Sequence, residues 1–106
     1  MIESFKTKTL KVWWEGTQET PPQDRNMRVP DKAAQKLKAI LKSLDAVRSF
    51  KELKETFSAN SFNFQEYKEK GDDWWEIRVS GNYRLLFHFD EVTFEVTGIE
   101  YTDRTH

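Results

Sequence analysis

Residues 74–90 read WWEIRVSGNYRLLFHFD. Two runs of alternating character, Trp74–Ser80 and Tyr83–Asp90, flank Ser80-Gly81-Asn82, which is the signature of a β-hairpin. Patterning then fixes the register, because a slip of one residue turns every side chain to the opposite face. With a three-residue loop at Ser80-Gly81-Asn82, Val79 faces Tyr83, Ile77 faces Leu85 and Trp75 faces Phe87. With a two-residue turn at Asp90-Glu91, Phe89 faces Val92, Phe87 faces Phe94 and Leu85 faces Val96. All of these are apolar and share one side, so that side is expected to be the core. The opposite face then carries Trp74, Glu76, Arg78, Arg84, Leu86, His88, Thr93, Glu95 and Thr97. Arg78 stands directly across from Arg84. Like charges in that position destabilise a sheet unless something neutralises them. Two readings follow. Glu76 or Glu95 pairs with the arginines in a local ion network, or the two guanidinium forks hold a phosphate while Trp74 offers a stacking surface for a base.

Working outward from the hairpin, the period of two also covers Phe62–Tyr67 and Val92–Tyr101, which read as two further strands. Upstream the period is helical. Ala33, Ala34, Leu37, Ile40, Leu41, Leu44 and Val47 form one apolar stripe in a helix opened by Pro30-Asp31, and Lys32, Lys36, Lys38 and Lys42 lie off that stripe. The lysines read either as a solvated helix face or as a basic surface that tracks phosphates. Ser49 is placed to cap the short segment FKELKETF that follows. Leu10, Trp13 and Trp14, at i, i+3 and i+4, mark an earlier helix stopped by Gly16. Met1–Phe5 is short and alternating, as in a first strand. Residues 17–29, with Pro21-Pro22, read as a mobile loop. The layout is α+β: an N-terminal strand and two to three helices packed on a mostly antiparallel sheet of four to five strands, in one domain spanning residues 1–106.

Composition excludes several classes. Cysteine is absent, which removes disulfide and thiolate chemistry and suits a reducing cytoplasm. No apolar run approaches the ~20 residues needed to span a bilayer, and the start MIESFKTKTL is too polar for a signal peptide. With two histidines and no metal motif, no metal or other cofactor is expected. The net charge of −1 is uninformative, but its distribution is not. Residues 1–54 hold 12 Lys and Arg against 7 Asp and Glu, whereas residues 55–106 hold 5 against 11. A basic helical half facing an acidic sheet half fits either uneven solvation of one domain or a phosphate-tracking surface.

Three stretches resemble the RelE/HigB toxins of type II toxin–antitoxin systems. They are MIESFKTKTLKVWWEG at the start, DKAAQKLKAILKSLDAV in the long helix, and above all WWEIRVSGNYRLLFHF, which is similar to the family core W-x-I-R-V-x-G-N-W/Y-R-x-x-F. The resemblance implies a RelE-like fold and a metal-independent, ribosome-dependent endoribonuclease acting on mRNA. It also implies a cognate antitoxin with a helix-turn-helix domain, through which alone operator DNA is reached. Position by position, Lys68 matches the lysine of the family's L-H-P-L-K-G, while Gln65 stands where the histidine is usual and cannot exchange a proton at neutral pH. Arg78 and Arg84 match the core arginines. Tyr101 and Asp103 match the family's Y-x-D-Y-H ending, Arg104 replaces its second tyrosine, and His106 falls one place late.

The resemblance therefore assigns Lys68, Arg78 and Arg84 to phosphates and Asp103, His106 or His88 to proton transfer, with Trp74, Lys36, Lys38 and Lys42 on RNA. Two other functions fit the same fold. One is a non-enzymatic toxin of the ParE type that poisons gyrase. The other is a relative that only binds its antitoxin. Leu86 and Trp74 are the exposed apolar candidates on the sheet face for that partner.

Overall fold

The computed structural model describes residues 1–16, 29, 31–81 and 83–103. Helix α1 (Lys8–Glu15), helix α2 (Asp31–Ala46) and helix α3 (Phe50–Thr56) precede strands β1 (Gln65–Glu66), β2 (Trp74–Ser80), β3 (Tyr83–Phe89) and β4 (Val96–Asp103). The strands form one antiparallel sheet in the order β1-β2-β3-β4. The α+β layout read from the sequence is therefore the one observed. Residues 17–28 of the expected loop lie outside the described residues; Val29, at its end, is buried.

The apolar stripe of α2 is buried along its whole length and meets Ile77, Val79, Leu85, Phe87, Phe89, Val96, Ile99 and Tyr101 from one face of the sheet. Ser49 caps α3, its hydroxyl accepting from the Glu52 amide at 3.0 Å. Helix α3 brings Phe50 against Trp75, with ring centroids 5.0 Å apart, and Phe64 stacks on the same indole at 5.0 Å. These aromatic contacts close the core beside β2 in a chain poor in aliphatic residues.

Four expectations change. The first hairpin keeps the pairs Trp75–Phe87, Ile77–Leu85 and Arg78–Arg84, but Ser80 rather than Val79 faces Tyr83. Gly81, at φ +51°, tightens the turn, and the extra residue is absorbed as a bulge between Arg78 and Ser80. The second hairpin is longer than a two-residue turn. Asp90 Oδ1 accepts from the amides of Val92 and Thr93 at 2.8 and 3.1 Å, and Phe94 takes φ +63°. Phe89 consequently pairs with Val96, not Val92. Val92 is 85% exposed and Phe94 36%, so neither is a core residue, and Glu95 stays in the turn, away from the arginines. The expected strand over Phe62–Tyr67 shrinks to Gln65–Glu66, because Asn60–Phe62 forms a 3-10 turn and Asn63 follows in the left-handed region.

Finally, Met1–Phe5 is not a strand but two isolated parallel bridges, Ile2–Val96 and Phe5–Ile99. Backbone bonds such as Val96 N to Met1 O and Lys6 N to Ile99 O still tie it to β4. Hydroxyl groups supply others: Ser4 Oγ accepts from the Gly98 amide at 2.9 Å and Thr7 Oγ1 from the Tyr101 amide at 3.0 Å. The segment covers the outer edge of β4, which would otherwise present unpaired backbone groups.

Candidate functional site

The sheet face turned away from the helices has a middle and two ends. At one end the β2–β3 ladder sets Arg78 opposite Arg84. Arg78 is exposed. Arg84 is half-buried and folds back on its own turn, with Nη1 donating to the carbonyls of Gly81 and Tyr83 at 3.2 Å each, while its Nε is buried without a hydrogen-bond partner. An orphaned buried donor costs about 1–3 kcal/mol, and such a group is a reason to look for function.

Lys36 joins this end from α2. Its Nζ donates to the Ser61 carbonyl at 3.4 Å and sits 5.2 Å from the Phe62 ring centroid. Burial, and then the nearby Arg78 guanidinium, hold the Lys36 ammonium below the usual lysine range. The ion pairs found among the described residues are Lys6–Glu100, Lys11–Glu15 and Lys70–Glu100, and none of them reaches Arg78, Arg84 or Lys36. Glu76, expected to be able to neutralise the arginines, is fully buried, and Gln65 Nε2 donates to its Oε1.

Trp74 and His88 face each other at the other end, edge-on with ring centroids 5.5 Å apart. The indole is half-buried. Lys70 Nζ lies 4.7 Å from the ring centroid, and a Cβ built on Gly98 would come within 2.8 Å of Trp74 Cη2. His88 lies four positions along β3 from Arg84, or roughly 13 Å at the strand rise, so it does not share a phosphate with the arginines. Lys68 is exposed at the start of the Lys68–Lys70 3-10 turn, which follows Tyr67 at this end.

A polar cleft of about 420 Å³ lies in the middle of this face, lined by Lys6, Tyr67, Glu69, Lys70, Leu86, Glu100, Thr102 and Asp103, with three carboxylates to two lysines; neither arginine lines it. Leu86, expected to be exposed, is buried at 3%, so it is no open patch for a partner. Asp103 pairs with Tyr83 across β3–β4 and reaches the arginine end. Burial, with Tyr83 and Asp103 beside it, pushes the Tyr101 hydroxyl above the usual phenol range, so it stays protonated. His106 and Arg104 lie outside the described residues.

The lysines of α2 do not act as one face. Lys36 and Lys38 are two residues apart, roughly 200° around the helix. Lys38 Nζ lies over Trp13, 5.7 Å from the ring centroid, and Lys42 is exposed. Sequence reading overlooked Lys6, Lys70 and Glu100, which meet only through a contact across 30 residues or more of chain. Among the described residues no group of three or more metal-ligating side chains occurs, and no helix is long and apolar enough to cross a membrane.

A family model described as the RelE-like toxin HigB of type II toxin–antitoxin systems matches residues 3–103. No curated protein matches the chain.

Proposed function

Because this chain belongs to the HigB family of RelE-like type II toxins, we propose that it cleaves mRNA on the ribosome, with the arginine end of the open sheet face as its phosphate site. One observation carries the reading: Arg78 stands opposite Arg84, Lys36 is close enough to Arg78 to feel its charge, and no acidic side chain is in ion-pair contact with any of the three among the described residues. A protein keeps such a cluster at a cost in stability, and an anion relieves it.

The reaction is attack of a ribose 2′-OH on the adjacent phosphorus with departure of the 5′ oxygen. It needs cations where charge grows on the phosphoryl oxygens and groups that move two protons. Arg84, braced by two backbone carbonyls, is preorganised for a phosphoryl oxygen, and Arg78 opposes it. Asp103, at the end of β4 across from Tyr83, takes the 2′-OH proton, and Lys68 serves a flanking phosphate at the far end. The partners are the ribosome, mRNA and an antitoxin whose helix-turn-helix domain contacts operator DNA.

The test is cell-free translation with a defined transcript. Wild-type protein should cut the transcript only when ribosomes translate it. Arg84→Ala should fold and lose on the order of 10²-fold or more in rate. Undiminished cutting by Arg84→Ala removes the arginine pair from the mechanism, and an intact transcript with inhibited gyrase replaces the nuclease by a gyrase poison.

A further inference from the structure

A second cleft, of about 440 Å³, lies between α2 and the β2–β3 turn, on the helix side of the sheet. Lys32 and Lys36, one helical turn apart, form one wall, Asp103 stands on another side, and Ala33, Val79 and Tyr83 supply an apolar bed. Tyr83 is held in place by stacking on Tyr101, with ring centroids 5.0 Å apart and the planes 5° from parallel. Lys32 is exposed and takes part in none of the ion pairs found among the described residues.

We infer that this cleft is where the antitoxin docks, through a segment that sets an aliphatic side chain on the bed and a carboxylate against Lys32 and Lys36. The charge layout selects that occupant. Two ammonium groups of α2 outnumber the one carboxylate, Asp103, among the lining side chains, which favours a carboxylate at the α2 wall, and an aliphatic group needs no polar partner on a bed of Ala33, Val79 and Tyr83. RNA would set its phosphates against the same two lysines, but it has no aliphatic side chain for the bed of Ala33, Val79 and Tyr83. Lys36 also belongs to the cation cluster on the RNA side, reached past the edge of β2. A carboxylate drawn to Lys36 therefore competes with RNA for the same charge, which gives the antitoxin a way to silence the toxin from the opposite side of the sheet. The inference rests on the family's antitoxin partner and not on the nuclease reading, since docking is measurable without cleavage.

The experiment uses the full chain purified with and without its cognate antitoxin. Lys32→Glu should weaken antitoxin affinity at least tenfold, and Lys32→Ala, which sets no carboxylate beside Lys36, should weaken it in the same direction while leaving transcript cleavage by the toxin alone unchanged; Lys42→Glu, on another side of α2, should leave affinity unchanged. Hydrogen exchange in the complex should slow at residues 32–36 and at Gly81. Unaltered affinity of Lys32→Glu, or protection confined to other surfaces, overturns the proposal. Loss of cleavage with unaltered affinity assigns the cleft to RNA and overturns it equally. If wild-type protein cuts no transcript but Lys32→Glu still loses the antitoxin, the nuclease reading fails and the docking site stands.

Discussion

Arg78→Gln removes one of the two guanidinium groups that face each other across β2 and β3 and also relieves Lys36, whose ammonium is destabilised by burial and by Arg78. Directly opposed like charges cost about 0.2–1 kcal/mol on a sheet, and exposure of Arg78 keeps the figure in the lower half of that range. The variant should thus be more stable than wild type by about 0.5 kcal/mol. For a domain of this size that is ~2–4 °C in Tm. Because the gain is electrostatic, it should shrink at 1 M salt, where the screening length falls to about 3 Å. The Lys36 ammonium should titrate closer to its ordinary range in the variant. Transcript cleavage should fall on the order of 10²-fold, so stability and activity move in opposite directions. Thermal unfolding at low and high salt, NMR titration of lysine side chains and the cell-free assay read the three effects. A loss of more than about 1 kcal/mol would show that Arg78 is held by acidic partners, and a gain that persists at high salt would show that it is not charge repulsion; either refutes the reasoning.

Three further outcomes test the framework. Gly98 has φ +64° and its added Cβ would press on Trp74 at 2.8 Å, so Gly98→Ala should cost about 2–4 kcal/mol in urea unfolding, part of it returned by a second change, Trp74→Leu. Hydrogen bonds from the amides of Val92 and Thr93 are the main reason that the Asp90 carboxyl lies below its ordinary value of 3.8. Its contribution is present above that value and lost as pH falls through the depressed one; the two amide resonances should shift with an inflection below 3.8, and Asp90→Asn should abolish it. Ser49→Ala removes the α3 cap and should cost about 1 kcal/mol, read from denaturant midpoints, with no change in cleavage.

Local pattern was enough wherever one element presents one face to one core. The stripe from Ala33 to Val47, the Ser49 cap and the ladder that puts Arg78 opposite Arg84 follow from periods of 3.6 and two, because burial rewards only one phase of each. The sequence likewise carries the match to the toxin family over residues 3–103. Pattern failed where alternation continues through a turn. Val92 and Phe94 alternate like strand residues, yet the Asp90 carboxylate captures two amides and holds the chain in a longer turn, so Phe89 pairs four residues later than the shortest hairpin allows. The site itself was only half visible. Which side chains share a charge environment depends on contacts between distant segments: Lys36 reaching Ser61 and Arg78, Lys70 bridging Glu100 and Trp74, and Gln65 meeting a buried Glu76. Residue order specifies which groups exist and which face each one takes. Only packing determines which of them lose water together, and that loss of solvent sets how strongly their charges act on one another.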